Sequence, residues 1–415
     1  MIVKELVKHV ENMIMPQHQH VQAIVDANQE KVLEAFQKLR VSDSHFNPTT
    51  GYGYDDFGRD KLEALYAEIF KAEDAIVRPQ LISGTHAITT ALFGVLRPGD
   101  ELLYITGAPY DTLEEVIGVS NKKDKGSLRD FGITYKSIPL KENGEFNESE
   151  VGKAINSKTK MVAIQRSKGY ADRPSFSLIK IKKMIEAVRS MKKDVVIFVD
   201  NCYGEFVEER EPLEAGADLI AGSLIKNPGG GIARTGGYIA GRTDLIEQCS
   251  YRLTAPGLGK ETGPSLHSLQ EMYQGIFLAP HVVGEALKGA IFTSKLLEEK
   301  GFLTSPSFEE ERTDLIQSVK FDTPEQMIAF CQAVQASSPI NSHVTPQPSA
   351  MPGYESEVIM AAGTFIQGAS LELTADGPIR PPFTAFVQGG LTYSHVKIAV
   401  VKALENSLSL TSTNS

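Results

Sequence analysis

Short apolar runs alternate with helical segments from Ile76 to about Gly241. The apolar runs have the length of buried strands, and they are ELLYIT, KMVAIQ, DVVIFVD, DLIAGSLIK and GGYIAG. Between them, HAITTALFGVL and SLIKIKKMIEAVRSM place apolar residues at helical spacing. Apolar strands separated by helices indicate βαβ units with a sheet covered on both faces. The pattern therefore predicts an α/β domain around a mostly parallel sheet.

Helical periodicity dominates on either side of this region. Residues 1–45 are predicted to form a helical arm, with an apolar stripe that includes Val21, Val25 and Val32. A further helix is predicted from one shared apolar face, formed by Leu62, Leu65, Tyr66, Ile69 and Phe70. After a long helical pattern, FDTPEQMIAFCQAVQ predicts a helix, and SEVIMAAGTFI and ASLELTAD predict strands. We therefore predict an arm (1–45), a large domain (46–280) and a smaller C-terminal α+β domain (281–415).

The net charge and the cysteine content limit the classes of protein to which the chain can belong. The 415 residues carry a net charge of -10, which disfavours nucleic acid or an anionic membrane as the main partner. Three scattered cysteines form no CxxC pair, as expected in a reducing cytosol. The start MIVKELVKHVENMI does not resemble a signal peptide, and no apolar stretch approaches the ~18 residues of a membrane span. These features predict a cytoplasmic protein.

Polar residues follow several predicted strands, at the edge where the carboxyl ends of parallel strands meet. In LISGTHAITT an apolar run ends at Ser83, Gly84 and Thr85, and a helix begins whose exposed amides suit a phosphate. The alternative for this segment is an ordinary connection between a strand and a helix. Asp200 is the last residue of DVVIFVD, where it would lie at the ligand-binding edge of the sheet. The alternative is that Asp200 caps the next helix. Tyr110 follows a strand and a proline turn, where a space-filling rim residue is the alternative.

Lys226 ends the run DLIAGSLIK and precedes a glycine cluster, in the reverse order of a nucleotide P-loop. Its neighbours Leu224, Ile225 and Pro228 are apolar, so burial is expected to lower its pKa and leave a nucleophilic amine. The alternative is a solvated surface charge. The segment GGGIARTGG lacks the dinucleotide-binding fingerprint and is typical of a tight loop that passes close to a cofactor.

Taken together, these groups match the needs of pyridoxal phosphate. A lysine forms a Schiff base with this cofactor, and an aspartate pairs with its pyridinium nitrogen. An aromatic side chain can stack on the ring, and a helix N-terminus can hold the phosphate. Lys226, Asp200, Tyr110 and residues 83–85 provide this set at one edge of the predicted sheet.

At these residues the chain resembles the fold-type I pyridoxal-phosphate enzymes of the cystathionine and methionine γ-lyase family, and within it the bacterial aluminium-resistance branch. The resemblance runs from about GYGYDDFGRDKLE to DGPIRPPF and is most specific between Ser83 and Gly241. It implies a large domain with a mostly parallel sheet and a smaller C-terminal α+β domain. It also implies these roles: Lys226 as Schiff-base lysine and general base, Asp200 as partner of the ring nitrogen, Tyr110 as stacking and proton-transfer residue, and Ser83, Gly84, Thr85 and Ser223 as phosphate-binding residues.

The resemblance further implies an active site shared between the subunits of a homodimer or homotetramer, in which Tyr52 or Tyr54 reaches a neighbour's phosphate. The family's Tyr-x-Arg phosphate motif is only approximated by GYGYDDFGR, with Arg59 as its stand-in. Ile225 stands where the better-known lyases carry threonine. Arg380 in DGPIRPP is predicted to bind the substrate carboxylate, because arginine binds carboxylates bidentately and prolines stiffen its loop. A structural ion pair is the alternative for Arg380.

The predicted function is pyridoxal-phosphate-dependent elimination of a sulfur leaving group from an amino acid such as cystathionine or methionine. β-Elimination and γ-elimination both stay open. The alternatives are an aminotransferase or aldolase with the same cofactor, and a non-catalytic cofactor-binding protein of a stress response. No metal site is predicted, because His18 and His20 are two residues apart and do not share a helix face.

Overall fold

The computed structural model describes residues 2–119, 125–351 and 356–412. The chain divides into two compact units. One unit is formed by Glu30–Phe277, and the other by Met1–Gln29 together with Leu278–Ser415. The predicted division into an arm, a large domain and a small domain is finer than these two units and stays a prediction.

The strands of the described residues form two sheets. The strands are β1 (Asp74–Arg78), β2 (Glu101–Tyr104), β3 (Thr134–Ser137), β4 (Thr159–Gln165), β5 (Val196–Asp200), β6 (Leu219–Ser223), β7 (Gly237–Gly241), β8 (Leu303–Ser305), β9 (Gln317–Phe321), β10 (Val358–Ala361), β11 (Thr374–Pro378) and β12 (Phe383–Gln388). A seven-stranded sheet has the order β1-β7-β6-β5-β4-β2-β3, and a five-stranded sheet has the order β10-β11-β12-β9-β8.

The helices of the same residues are α1 (Ile2–Met13), α2 (Met15–Lys38), α3 (Phe57–Phe70), α4 (Gly84–Val95), α5 (Asp111–Ile117), α6 (Glu148–Ala154), α7 (Leu178–Met191), α8 (Thr243–Leu253), α9 (Leu269–Glu298), α10 (Pro324–Ala336) and α11 (Tyr393–Ser412). Short 3-10 helices cover Asp43–Phe46, Asn227–Gly229 and Gly259–Glu261.

The seven-stranded sheet lies in the unit Glu30–Phe277 and is mostly parallel. Strands β3, β2, β4, β5 and β6 pair in parallel, whereas β7 runs antiparallel to both β6 and β1. Every residue of β2, β5, β6 and β7 is buried, as expected for a sheet that is covered on both faces. The predicted α/β class is therefore confirmed.

The strand prediction differs from the structure at several places, of which β6 and β3 are two. β6 ends at Ser223, so Lys226 lies three residues beyond this strand and not at its end. β3 was not predicted because it has no apolar run: its residues TYKS alternate between exposed and half-buried at the sheet's edge. Edge strands need to bury only part of one face, and their sequence signal is correspondingly weak.

Helix α3 confirms the apolar face predicted for it. Its five predicted core residues are all buried: Leu62, Leu65, Tyr66, Ile69 and Phe70. Burying each such side chain contributes roughly 1.5–3 kcal/mol relative to leaving it exposed. The helix begins after Asp56, whose carboxylate accepts the N–H of Arg59 at 2.8 Å and so satisfies one of the helix's unpaired amides.

The second unit contains the antiparallel five-stranded sheet. The helix predicted from FDTPEQMIAFCQAVQ is α10, which begins with Pro324 after Thr323. The hydroxyl of Thr323 accepts the N–H of Gln326 at 3.3 Å. The run SEVIMAAGTFI contains β10, whereas β11 begins at Thr374, near the end of ASLELTAD.

Helix α9 corrects the expectation that the chain holds no apolar segment of membrane length. Within the described part of the chain, α9 is long and apolar enough to cross a bilayer by length and composition. Its charged residues and Pro280 divide the apolar run in the sequence, which is why the run was missed. Because 72% of its most apolar window is buried inside the protein, α9 is typical of a core helix.

Candidate active site

The carboxyl ends of the parallel strands bring the predicted site residues to one edge of the large sheet. Asp200 is the last residue of β5 and pairs in register with Gln165, the last residue of β4. Ser223 ends the neighbouring strand β6. Tyr110 follows β2 at the same edge and stands immediately before α5. Ligands of open α/β sheets bind at this edge.

Asp200 is buried, with 4% of its surface exposed. Its Oδ1 accepts the N–H of Cys202 at 3.1 Å, and the residues that follow form turns instead of the helix that a capping role would need. Burial raises the pKa of the Asp200 carboxyl above its ordinary value, while Lys226 and the N–H of Cys202 act to lower it. A cationic or N–H-bearing ligand group at this carboxylate would relieve the cost of burying its charge.

Lys226 lies on the loop that joins β6 to β7, two strands that pair in antiparallel. Its Nζ lies 4.0 Å from the ring centroid of Tyr203, within the range of a cation–π contact. Burial acts to lower the pKa of Lys226, but Cys202, Tyr203, Asp200 and Tyr110 together raise it above its ordinary value. The sequence predicted a lowered pKa, and this expectation is wrong because the interactions with Cys202, Tyr203 and Asp200 outweigh the effect of burial.

The loop that carries Lys226 is short and tied at both ends. Ser223 pairs with Gly237 at the end of the β6–β7 ladder, and the N–H of Leu224 donates to the carbonyl of Gly236 at 2.9 Å. A Cβ on Gly229 would collide with the carbonyl of Leu224. The glycine cluster therefore forms a turn that other residues could not form without displacing the backbone.

Tyr110 is held from two sides. Its hydroxyl lies 3.0 Å from Oγ1 of Thr85, and its backbone N–H donates to Oε1 of Gln165 at 2.9 Å. Burial raises the pKa of the Tyr110 phenol well above its ordinary value, and the charge of Asp200 raises it further. Tyr110 therefore keeps its proton at neutral pH and can act as a proton donor.

The first turn of α4 lies beside the end of β6, an arrangement suited to an anion. A Cβ on Gly84 would lie 3.1 Å from Cβ of Ser223 and 3.3 Å from Sγ of Cys202, so the absence of a side chain lets the helix start beside β6. Ser83 caps α4, its Oγ accepting the N–H of His86 at 3.0 Å. The amides of Gly84 and Thr85 precede the first bond of the helical ladder.

The surroundings of the Ser223 hydroxyl indicate whether this arrangement fits a phosphate. Its Oγ is buried and has no hydrogen-bond partner among the described residues. A buried hydroxyl without a partner is costly unless a ligand or water completes it. Because the hydroxyl lies beside the N-terminus of a twelve-residue helix, the residues present fit the phosphate of the predicted cofactor.

The other predicted residues stand apart from this group. Tyr52 and Tyr54 are 71% and 53% exposed and stack on each other, with ring centroids 5.4 Å apart. Arg59 is buried and donates to the carbonyls of Gly53 and Gly263 at 2.6 and 3.1 Å. This side chain supports the loop that carries the two tyrosines. Its role as a phosphate-binding stand-in stays a prediction.

Arg380 belongs to the second unit, in the turn between β11 and β12, and its side chain is exposed. Its backbone N–H donates to the carbonyl of Pro378 at 2.9 Å. The assignment of Arg380 to the substrate carboxylate stays a prediction.

Three residues of the site were missed by the sequence analysis. Gln165 closes the run KMVAIQ, and the strand-end argument that selected Asp200 applies to it equally. Cys202 and Tyr203 follow Asp200 in DNCYGEF, where no periodic pattern marks them. Tyr203 adopts a left-handed φ of 71°, which brings its ring beneath Lys226 and which a sequence pattern does not reveal.

Comparison with known proteins agrees with this geometry. The family model described as methionine gamma-lyase matches residues 3–408. A solved structure from Listeria monocytogenes, named as a candidate cystathionine beta-lyase involved in aluminium resistance, is 61% identical and has a TM-score of 0.96. The match covers 97% of this chain and 99% of that one. A carbon-sulfur lyase involved in aluminium resistance from Clostridium novyi is 50% identical, with a TM-score of 0.93 and coverage of 97% and 95%.

A more distant structure bears on the fold alone. The pyridoxal-5'-phosphate-dependent protein YhfS of Escherichia coli is 17% identical, with a TM-score of 0.62, over 93% of this chain and 97% of that one. The architecture described above is therefore that of fold-type I pyridoxal-phosphate enzymes, as predicted. The family model spans both units and the whole set of strand-end residues. The chain belongs to the methionine gamma-lyase family.

Proposed function

We propose that this protein is a pyridoxal-phosphate-dependent carbon–sulfur lyase that acts on a sulfur-containing amino acid. The observation that carries the proposal is the meeting of Lys226, Asp200 and Tyr110 beside the unpaired hydroxyl of Ser223, in a chain of the methionine gamma-lyase family. The names of the similar Listeria and Clostridium proteins support the carbon–sulfur specificity. We propose that the protein acts in the cytoplasm without nucleic acid, membrane or metal.

The residues have separate parts in holding the cofactor. Lys226 would bond it covalently, and the carboxylate of Asp200 would pair with its ring nitrogen. Ser223 and the amides of Gly84 and Thr85 would hold its phosphate, with Ser83 fixing the start of α4. When bound, pyridoxal phosphate supplies an electron sink that stabilises negative charge at the substrate's Cα.

The proton transfers follow from the side chains at this edge. The neutral amine of Lys226 would remove the proton from the substrate's Cα. Tyr110 is protonated at neutral pH, as an ordinary phenol is, and its hydroxyl would donate a proton towards the departing sulfur. Gln165 fixes the backbone from which Tyr110 extends. Arg380 would bind the substrate carboxylate.

The first test is the visible absorption spectrum of the purified protein, measured beside Lys226→Ala and treated with borohydride. We expect a yellow band in the unsubstituted protein, which reduction fixes to the chain at Lys226, and no such band in the variant. Lys182→Ala removes an exposed lysine of α7 and should leave the spectrum unchanged. A protein that shows no band after pyridoxal phosphate is added would contradict the proposal.

Products identify the reaction. Incubation with cystathionine, cysteine and methionine should release a thiol with pyruvate after β-elimination, or with 2-oxobutyrate after γ-elimination. Amino-group transfer to a 2-oxo acid, or aldehyde release from a 3-hydroxy amino acid, would instead identify an aminotransferase or an aldolase. A cofactor-loaded protein that is inert towards all of these amino acids would favour a non-catalytic role in a stress response.

We also propose that the working unit is a homodimer, or a homotetramer built from such dimers. The loop of Tyr52 is tied to a second loop, since the N–H of Gly263 donates to the carbonyl of Tyr52 at 2.9 Å. Together these loops expose large apolar side chains, namely Tyr52, Tyr54, Phe57, Leu258 and Leu266. A cluster of this kind is typical of a covered surface.

We propose that a second copy of the chain covers this surface, and that Tyr52 or Tyr54 reaches the phosphate bound by that copy. A fully active monomer in sedimentation would contradict this.

A further inference from the structure

A buried polar cluster lies behind the loop of Lys226. It consists of Glu205, Asn201, Glu211 and Tyr238, all within one unit and all buried. The hydroxyl of Tyr238 donates to Oε1 of Glu205 at 2.8 Å, and Nδ2 of Asn201 donates to Oε2 of Glu211 at 2.9 Å. Oε2 of Glu205 has no hydrogen-bond partner among the described residues.

Glu205 reaches the chain on both sides of Lys226. On one side, a Cβ on Gly222 would lie 2.5 Å from Oε1 of Glu205 and 2.5 Å from the Tyr238 ring. The carboxyl group therefore packs directly against β6, one residue before Ser223. On the other side, Nδ2 of the buried Asn227 donates to the backbone carbonyl of Glu205 at 2.9 Å. The segment that carries Lys226 thus packs against the Glu205 side chain at its start and is hydrogen-bonded to the Glu205 backbone at its end.

The surroundings of Glu205 favour its neutral form. The pKa of Glu205 is raised to about 8, because burial and the charge of Glu211 outweigh the opposing effects of the backbone, Tyr238 and Lys226. The titratable groups that face it are Glu211, Cys202 and Lys226, with Tyr238 of β7 and Tyr66 of α3. Lys226 already has the carboxylate of Asp200 as a counter-charge. A second carboxylate would bind the ammonium more tightly and hinder its loss of a proton.

We propose that Glu205 is a positioning residue for Lys226: its carboxyl group packs against β6 and accepts a hydrogen bond from Tyr238, and its backbone carbonyl holds Asn227. This inference rests on the proposed function of Lys226. It goes beyond that function because, in the described part of the chain, Glu205 hydrogen-bonds to Tyr238 and Asn227 and not to the proposed cofactor-binding groups or Tyr110, and so acts through the backbone and through charge. Gln at this position should therefore work, whereas an apolar side chain should not.

The test compares Glu205→Gln with Glu205→Leu. In the cofactor-loaded protein, Glu205→Leu should lower kcat by about tenfold with little change in KM, because a misplaced reacting group costs rate more than binding. Glu205→Gln keeps the acceptor for Tyr238 and should restore kcat to within about threefold of the original. Equal loss in both variants would mean that the charged carboxylate is required, and full activity of Glu205→Leu would mean that Glu205 only fills space. Either result would overturn the proposal.

A second readout does not depend on the loaded enzyme. In cofactor-free protein, the rate at which trinitrobenzenesulfonate modifies Lys226, located by peptide mass spectrometry, reports the fraction of neutral amine. In the unsubstituted protein this rate should rise less steeply above pH 8, where Glu205 ionises, than in Glu205→Gln. Identical profiles would overturn the proposed charge effect. If the unsubstituted protein never forms the absorption band, the proposed function fails while this comparison still decides the role of Glu205.

If Glu205→Leu does not fold, Tyr238→Phe provides a second test of the proposal. It preserves the ring that packs against Phe70 and Tyr66 and removes only the hydroxyl that donates to Glu205. A lower kcat, again with KM nearly unchanged, is expected. Unchanged kcat and unchanged labelling of Lys226 in this variant would overturn the proposed support.

Discussion

At the residue scale, the charges of Asp200 and Lys226 act on each other. Asp200 and Lys226 each influence the other's pKa, and burial raises the pKa of the carboxyl while the same carboxylate helps to raise that of the lysine. Two opposite charges in a partly desolvated site stabilise each other more than they would in water. The lysine is therefore held as an ammonium until its counter-charge is neutralised by another cation.

Asp200→Asn tests this dependence. Removing the carboxylate should lower the pKa of Lys226, so that more of its amine is neutral at a given mildly alkaline pH and modification by trinitrobenzenesulfonate becomes faster. The rate is measured against pH in cofactor-free protein. Asp194→Asn, which changes an exposed carboxylate near the start of β5, serves as the control. A profile identical to that of the unsubstituted protein would show that Asp200 does not set the charge of Lys226.

At the element scale, the site is made by the ends of strands and the start of one helix. Asp200, Ser223 and Gln165 each close a strand, and α4 begins beside them at Gly84. This placement was largely predictable, because apolar runs mark buried strands and their last residues share an edge. Tyr203 was not predictable, because its position depends on a left-handed turn and not on a periodic pattern. Likewise, Lys226 lies beyond β6 because the strand ends where the antiparallel ladder with β7 ends.

Gly84→Ala tests the junction between α4 and β6. The added methyl group would lie 3.1 Å from Cβ of Ser223, closer than an unstrained contact, so the free energy of unfolding should fall by about 1–3 kcal/mol. Retention of pyridoxal phosphate during dialysis should fall as well. Urea denaturation and the visible spectrum measure the two effects. Gly152→Ala in α6 is the matched control, because its methyl group would meet Met191 at an ordinary 3.5 Å. Equal behaviour of the two variants would contradict a close junction.

At the scale of the whole molecule, an acidic protein of net charge -10 holds its proposed anion site with neutral groups. Backbone amides of α4 and the hydroxyl of Ser223 need no compensating cation. The carboxyl groups behind the site have raised pKa values, as Glu205, Glu211 and Asp200 show. Such groups bind protons more tightly in the folded than in the unfolded chain.

Glu205→Gln should therefore change how stability depends on pH. Between the ordinary glutamate value of 4.5 and about 8, the folded protein holds a proton on Glu205 that the unfolded chain has lost, so its contribution to stability falls as pH rises. The variant has no such proton, and its stability relative to the original should grow by up to about 1.4 kcal/mol per pH unit. Thermal unfolding at several pH values measures the difference. Glu209→Gln, on the exposed surface, should give a parallel curve, and a parallel curve for Glu205→Gln would contradict the raised pKa.

The tied loop between β6 and β7 has a kinetic consequence. Its ends are held by the ladder at Ser223 and by the bond from Leu224 to Gly236, so the backbone that carries Lys226 is restrained and its amine moves only as far as its own side chain allows. A reactive group restrained in this way behaves as if it were present at a very high effective molarity. In the proposed reaction the amine of Lys226 would therefore stay close to the substrate, and each of its proton transfers would need no diffusional search.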